Sequence, residues 1–420
     1  MIGGLFSRRT LLTAHLAAVV LTVEVHWPLF ANQLGGLRWV ITFAVFAPAY
    51  LWASRSPTLR TAVLRLPLAP LMAWAAWALV SANWSNALPL AFGLSFGILS
   101  TIVIGAFYAG TYGWDRFART VSVTLAFFLV AGAVYRLGEG IVGGNGRFEG
   151  LAHGPTDAGR LGYVLAFTAL SGFTDRPRVR WTLAAIGALA CYGAGARTPT
   201  IGLVRGAGLV AVRRLPRRGV RPAVAALGLA GLTVLGFAVA FGSAQIDFSS
   251  RSEEPEDIAS LTGRTEVWTA ALDASAERPV VGHGLASSQA IFDELASDGI
   301  LSWDPGTSHN LWLNNQLQLG MVGSTLLGLS VVAIIGLSGR RPDHYRDALV
   351  VALLLNSLTE PLLHEPAVAL LVLAGMAGAL GFERPAESRP RTEGPEPAVG
   401  SGASTAGQPP SQLGTGEPVA

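Results

Sequence analysis

Lysine is absent from this 420-residue sequence, and cysteine occurs only once. All 30 basic residues are therefore arginines, and the single Cys191 excludes an intramolecular disulfide and a zinc site built from several thiolates. Charged residues make up only 14% of the chain, whereas roughly 25% is usual for a soluble domain. Hydrophobic residues reach 51% and the mean hydropathy is +0.45. This balance excludes an ordinary soluble protein and predicts an integral membrane protein.

Apolar runs long enough to form membrane helices recur along the whole chain. A transmembrane helix needs roughly 20 mainly apolar residues. The pattern predicts an all-α polytopic fold with about twelve transmembrane helices, at Thr10 to Phe30, Leu37 to Ala53, Leu66 to Ala82, Leu88 to Gly110, Phe117 to Leu137, Ala158 to Phe173, Trp181 to Ala196, Thr200 to Val212, Ala223 to Gly242, Asn310 to Leu337, Ala348 to Leu363 and Ala367 to Gly381.

The arginines cluster in alternate connections between these helices. Basic residues prefer the cytoplasmic side, so this distribution predicts that both termini are cytoplasmic. Residues 1–242 then hold nine transmembrane helices, 243–309 form one large external loop, and 310–381 hold three further helices. Residues 382–420, rich in Pro, Gly, Ser and Glu, are expected to be a disordered cytoplasmic tail. Any chemistry is expected on the outer face.

The external loop contains a candidate amphipathic helix that begins at Arg264. Trp268 follows four residues later, so the two side chains project from one face of a helix, which we expect to turn toward the protein. The alternative is an interfacial anchor, in which the arginine pairs with lipid phosphate and the tryptophan lies among the headgroups.

Further arginines fall at outer positions where the cytoplasmic preference of basic residues disfavours them. Arg197 stands at the outer end of a predicted span and needs an anionic partner, unless it extends along the interface into water. Arg147 either binds a ligand or makes a salt bridge with Glu149 or a loop contact, and Arg160 has Asp157 as a nearby partner. The planar guanidinium suits bidentate binding of phosphate.

A Ser-His-Asn triplet precedes the tenth predicted span, and its histidine is His309. A neutral imidazole can accept a proton from a hydroxyl group at neutral pH, whereas a histidine at a helix start can also be a cap or a packing residue. Glu360, near the outer end of the eleventh predicted span, is an ionisable group for which a functional role is the default hypothesis. The acidic run 252–257 lacks the spacing of a hard-cation site, so we expect neither a metal ion nor another cofactor.

Several stretches together resemble the O-antigen ligase and O-antigen polymerase superfamily. They are GRTEVWTAAL from Gly263, ERPVVGHGLAS from Glu277, and TSHNLWLNNQLQLGMVGS from Thr307. ARTPTIGL and GRFEGLAHGPTDAG are similar to two further segments of that family. The sequence departs from the family pattern at Ala196, where Ser is usual, and at Thr156, where Asn is common.

This resemblance implies a membrane glycosyltransferase with a GT-C-like architecture. Such an enzyme takes a glycan from undecaprenyl pyrophosphate on the outer side of the membrane and transfers it to an acceptor sugar hydroxyl, without a metal ion and with inversion. Carried over by residue, Arg197 and Arg264 hold the donor pyrophosphate and His309 is the catalytic base. The remaining expected substrate contacts are Arg147, Trp268, Asn310 and Glu360.

The partners implied are a lipid-linked glycan donor, a glycan or glycolipid acceptor and the bilayer of the inner or plasma membrane, with no nucleic acid. The quoted residues do not separate a polymerase from a ligase, and they leave the sugar and its linkage open. A different class, a secondary transporter or flippase of lipid-linked or small polar substrates, is the alternative. Such proteins usually show two similar halves with broken helices at the midplane, and the sequence shows no such pair.

Overall fold

The computed structural model describes residues 8–24, 44–48, 51, 55–138, 147–152, 154–214, 264–340, 342–363 and 367–382. These residues form helices, and none of them lies in a β-strand. The α-helices are α1 (Arg8–Glu24), α2 (Pro57–Ala62), α3 (Leu68–Ser81), α4 (Leu88–Tyr112), α5 (Trp114–Tyr135), α6 (Pro155–Gly172), α7 (Pro177–Gly193), α8 (Arg197–Arg214), α9 (Arg264–Glu277), α10 (Ser288–Ser297), α11 (Leu311–Arg340), α12 (His344–Ser357) and α13 (Val368–Phe382).

Helices occupy ten of the twelve predicted spans over most of their length. The second predicted span is described only in part, and the ninth lies outside the described residues, as do the acidic run 252–257 and the tail from residue 383. Within the described residues, α4, α5 and α11 are long and apolar enough to cross a membrane, and α13 is a shorter apolar helix. The regular structure of the described residues is therefore all helical and consistent with a membrane protein, and the count of twelve spans stays a prediction.

The eleventh predicted span is shorter in the structure than expected. It was predicted to run to Leu363, but α12 ends at Ser357 and a turn follows. Asn356 carbonyl accepts a hydrogen bond from the Thr359 backbone N–H at 3.2 Å, which closes that turn. Glu360 therefore lies in the turn after α12 rather than within the helix.

Small residues allow the helices to approach each other closely. α4 packs along α13, α6 against α7, and α8 against α12. Gly162 of α6 and Gly187 of α7 face each other so closely that a β-carbon on either would overlap the backbone of the other helix. Close backbone contact of this kind is how membrane helices pack without a strong hydrophobic driving force between them.

The longest helix, α11, is interrupted at Gly320. This residue has φ 64° and ψ −165°, a conformation that only glycine adopts readily. The turn at residues 279–284 inserts at the break and satisfies the backbone groups that the break leaves without helical partners. Met321 N–H donates to Pro279 O at 2.9 Å, and Gly284 N–H donates to Gln318 O at 2.8 Å. The Pro-x-x-Gly-x-Gly turn and the Gly-x-x-Gly of the span are thus two halves of one structural unit.

Three tryptophans, in α3 and just after it, hold the structural unit formed by the break in α11 and the turn at residues 279–284 from the other side. Each indole N–H donates a hydrogen bond to it: Trp74 to Asn315 Oδ1 at 2.8 Å, Trp77 to Leu319 O at 2.9 Å and Trp84 to Gly282 O at 3.2 Å. Gln318 is buried and accepts from the Ala286 N–H at 2.7 Å. The polar side chains at the start of α11 are therefore mainly structural.

A small separate core lies beside the first part of α11. Val267 and Ala271 of α9, Phe292 of α10, Leu301 of the following loop and Leu317 of α11 are buried together. This core fixes α9 and α10 against α11, and it anchors the loop 301–310 that leads into α11.

Candidate functional site

Four helices begin at one end of the molecule, around the turn at residues 358–360 that follows α12. Three contacts define this meeting point: the Thr359 hydroxyl donates to Thr198 Oγ1 of α8 at 2.8 Å, Arg264 Nη2 of α9 donates to Glu360 Oε1 at 3.3 Å, and Asn310 Nδ2 before α11 donates to Leu358 O at 3.0 Å. α6 joins them through Asp157 and Arg160, whose charges act on Glu360. Helix N-termini carry partial positive charge, so their convergence favours an anion.

Arg264 and Trp268 point into the protein. The Arg264 side chain is 25% exposed and pairs with Glu360, and the Trp268 indole N–H donates to Ser308 O at 2.9 Å. The expectation that one face of this helix turns toward the protein is therefore confirmed, and the interfacial-anchor alternative does not describe these two side chains.

Two further arginines that the sequence singled out also make local contacts. Arg160 pairs with Asp157 at 2.8 Å, as its spacing suggested. Arg147 Nε donates to Ala194 O at 2.9 Å, and its side chain covers Gly195 at the turn that leads to Arg197. Glu149 pairs with Arg136, at 3.7 Å.

Four arginines lie in this region, and two carboxylates accompany them. The arginines are Arg147, Arg160, Arg197 and Arg264, and the carboxylates are those of Asp157 and Glu360. Guanidinium groups bind phosphate oxygens in pairs, so these arginines suit an anionic ligand.

Glu360 is the buried acid of the site. Burial raises the pKa of its carboxyl above the ordinary value, while the guanidinium groups of Arg264 and Arg160 act in the opposite direction and lower it. The charge of Asp157 raises it further. Because desolvation has the largest effect, Glu360 holds a proton more readily than an exposed glutamate does.

His309 occupies a backbone conformation that is unusual for its residue type, with φ 48°. Its backbone N–H donates to Thr307 Oγ1 at 3.4 Å. The cap of α11 is the next residue, because Asn310 Oδ1 accepts from the backbone N–H groups of Trp312 at 2.9 Å and Leu313 at 3.2 Å. Asn310, and not His309, therefore caps α11.

The loop that carries His309 is tied down along its length. Ser308 is fully buried and its hydroxyl donates to Asn310 O at 3.0 Å. Asp304 accepts from the Gly306 N–H at 2.9 Å and from Gln289 Nε2 at 3.0 Å. Together with the bond from Trp268 to Ser308, these contacts fix the loop around His309 relative to α9 and α11.

Arg264 contacts Glu360 and Asn310 contacts Leu358 at this turn. His309 lies in the chain between Ser308, which Trp268 contacts, and Asn310, and Arg197 directly precedes Thr198, which contacts Thr359. Arg147 lies at the edge, against residues 194–195.

Residues that the sequence did not single out are Thr198, Thr359 and Trp303. Only Trp303 gave a signal, since it is an aromatic residue in the polar turn SWDPGT shortly before His309. Among the described residues, no group of three or more His, Cys, Asp and Glu side chains is arranged to hold a metal ion.

The comparisons with known proteins agree with the resemblance stated from the sequence. Residues 182–328 match the model of the family Wzy_C, described as O-Antigen ligase. The matched segment contains Arg197, Arg264, Trp268, His309 and Asn310. Comparison with curated proteins gives no match. The resemblance to the O-antigen ligase superfamily is thus confirmed over this segment, and it points to a membrane enzyme that transfers glycans.

Proposed function

We propose that this chain, whose residues 182–328 match the O-Antigen ligase family, is a membrane glycosyltransferase. It transfers a glycan from undecaprenyl pyrophosphate to the hydroxyl group of an acceptor sugar on the outer side of the membrane. The observation that carries the proposal is the convergence of arginines and helix starts on the turn at residues 358–360, where Asn310, the residue after His309, also makes contact.

Arg264 and Arg197 are the proposed partners of the donor pyrophosphate. Their guanidinium groups lie at the first residues of α9 and α8, where the partial positive charge of the helix start adds to their own. Pyrophosphate is already a good leaving group, so the main task is to stabilise the negative charge that develops on it. The arginines supply this charge, and the proposed reaction needs no metal ion.

His309 is the proposed base. The acceptor hydroxyl oxygen attacks the anomeric carbon of the donor sugar, and its proton passes to the imidazole. As the new carbon–oxygen bond forms, the bond to pyrophosphate breaks and its electron pair stays on the pyrophosphate oxygen. A single displacement of this kind inverts the anomeric configuration.

The other residues predicted to contact substrate have supporting roles in this proposal. Glu360 pairs with Arg264 before the donor binds and orients its guanidinium group. Trp268 positions His309 through Ser308, and Asn310 links the start of α11 to the turn at Leu358. Arg147 supports the turn before Arg197 and adds positive charge at the edge of the site.

The experiment that tests the proposal is the analysis of surface glycan in cells that carry His309→Ala, with protein level checked. The expected result is loss of transfer, with glycan retained on the lipid carrier. Single repeats on the carrier indicate a polymerase, and long chains indicate a ligase. His344→Ala is the matched control, because His344 lies at the first residue of α12 and at the other end of that helix from the site. An unchanged glycan profile in His309→Ala would overturn the proposal.

A further inference from the structure

Trp303 is a large aromatic residue that the mechanism above does not use. Its side chain is 41% exposed, although it belongs to the tightly held loop that carries His309. The centroids of its indole ring and of the His309 imidazole lie 6.0 Å apart, with 27° between the ring planes. An exposed indole is thus fixed directly beside the proposed base.

Contacts of the residues on both sides of Trp303 hold the indole in this position. Leu301, two residues before Trp303, is buried in the core that α9, α10 and α11 share. The Ser302 hydroxyl donates to Glu266 Oε2 at 3.3 Å. Asp304 accepts hydrogen bonds from the Gly306 N–H and from Gln289 Nε2. Both neighbours of Trp303 are anchored, so little conformational freedom remains for the indole to lose when it binds a ligand.

The chemistry around the ring suits a sugar. One face of a pyranose presents C–H groups, and the negative face of an indole attracts these weakly positive hydrogens. Asp304 is exposed and its carboxylate is ionised at neutral pH, because hydrogen bonds from the Gly306 N–H and from side chains, including that of Gln289, lower its pKa. A carboxylate has more acceptor positions than these partners use, so it can also accept from a sugar hydroxyl.

We propose that Trp303 is the platform for the acceptor sugar and that its exposed indole, beside the imidazole, sets which pyranose presents a hydroxyl to His309. The inference rests on the proposed transferase function and extends it to the acceptor. It assigns the donor to the arginine side of His309 and the acceptor to the Trp303 side. Trp303 is therefore a specificity-determining residue, distinct from those that hold the pyrophosphate.

Saturation-transfer NMR on the full-length protein in lipid nanodiscs tests this inference. The probes are the methyl glycosides of glucose, galactose, mannose, N-acetylglucosamine and rhamnose. At least one of them is expected to receive saturation on the hydrogens of one pyranose face. Trp303→Ala is expected to raise its dissociation constant about tenfold, which corresponds to about 1.4 kcal/mol and lies within the range of an aromatic contact. Trp303→Phe, which keeps a flat ring, is expected to retain most of the binding.

Two further variants separate this inference from the proposed function. Trp181→Ala removes a tryptophan that is 55% exposed and packs against Arg180, away from His309, and it is expected to leave glycoside binding unchanged. His309→Ala is expected to abolish transfer in cells. The acceptor assignment is overturned if no glycoside binds, or if Trp303→Ala binds as the wild type does, even where His309→Ala has lost transfer. The opposite result, with Trp303-dependent binding and full transfer in His309→Ala, would overturn the catalytic role and leave the sugar platform in place.

Discussion

At the scale of single residues, the site contains one buried acid whose protonation is shifted by its surroundings. Burial places the pKa of Glu360 above its ordinary value, although Arg264 and Arg160 lower it in part. The folded protein therefore binds this proton more tightly than the unfolded chain does. It follows that the free energy of unfolding increases as the pH falls through the folded pKa toward the ordinary value of 4.5.

Glu360→Gln removes this dependence while it keeps the shape of the side chain. The thermal midpoint of the wild type, relative to Glu360→Gln, is expected to rise as the pH falls from about 7 to about 5. Thermal unfolding of both proteins at each pH checks this. Glu294→Gln, on the exposed face of α10, is the matched control. A difference that stays constant, or that favours the variant at low pH, would contradict the account of Glu360.

Asn310 combines a structural role with a predicted contact to substrate, and two substitutions separate these. Asn310→Ser keeps an oxygen that can cap α11 but lacks the donor to Leu358, whereas Asn310→Ala loses both. We expect Asn310→Ala to cost about 1 kcal/mol more than Asn310→Ser, the typical contribution of a helix N-cap. Thermal midpoints and transfer activity are measured on both variants. If Asn310→Ser keeps its stability and yet loses as much activity as Asn310→Ala, the amide contacts substrate; if its activity follows its stability, the role is structural.

At the scale of elements, the break in α11 shows what a linear pattern can and cannot predict. Hydropathy predicts the span from Asn310 to Leu337, and a helix is there, but nothing in hydropathy predicts a break at Gly320. The groups that stabilise the break are the turn at residues 279–284 and tryptophans more than 200 positions earlier in the chain. Such partners follow from tertiary packing, which local spacing does not contain. The helix at Arg264, by contrast, was predictable because its signal is local.

Gly320→Ala is expected to destabilise the protein strongly. A β-carbon there would overlap the Val280 carbonyl oxygen, and the backbone conformation alone costs a residue other than glycine about 1–3 kcal/mol. Gly328→Ala, on the same helix with nothing within 4 Å of the added carbon, is expected to be neutral or slightly stabilising. The thermal midpoint and the yield of monodisperse protein in detergent report the difference. Equal midpoints for the two variants would show that the break is not required.

At the scale of the whole molecule, the arginine distribution predicts how the site is oriented. The positions of the arginines predict that the start of α11 faces outward. Arg197 and Arg264 then lie on the side where basic residues are otherwise disfavoured. The proposed pyrophosphate donor accounts for their presence there. The sequence could suggest these residues individually, but their meeting at one turn depends on how α6, α8, α9, α11 and α12 pack.

This orientation predicts which positions a membrane-impermeant maleimide can reach in intact cells. The native Cys191 is buried, so it gives little background. Ser302→Cys lies in the exposed loop beside His309, whereas Thr174→Cys lies in the exposed connection between α6 and α7, at the opposite end of α6 from the site. Ser302→Cys is expected to react before permeabilisation, and Thr174→Cys only after it. Labelling of Thr174→Cys alone in intact cells would invert the orientation and move the site to the cytoplasmic side, where an outer-leaflet glycan donor could not reach His309.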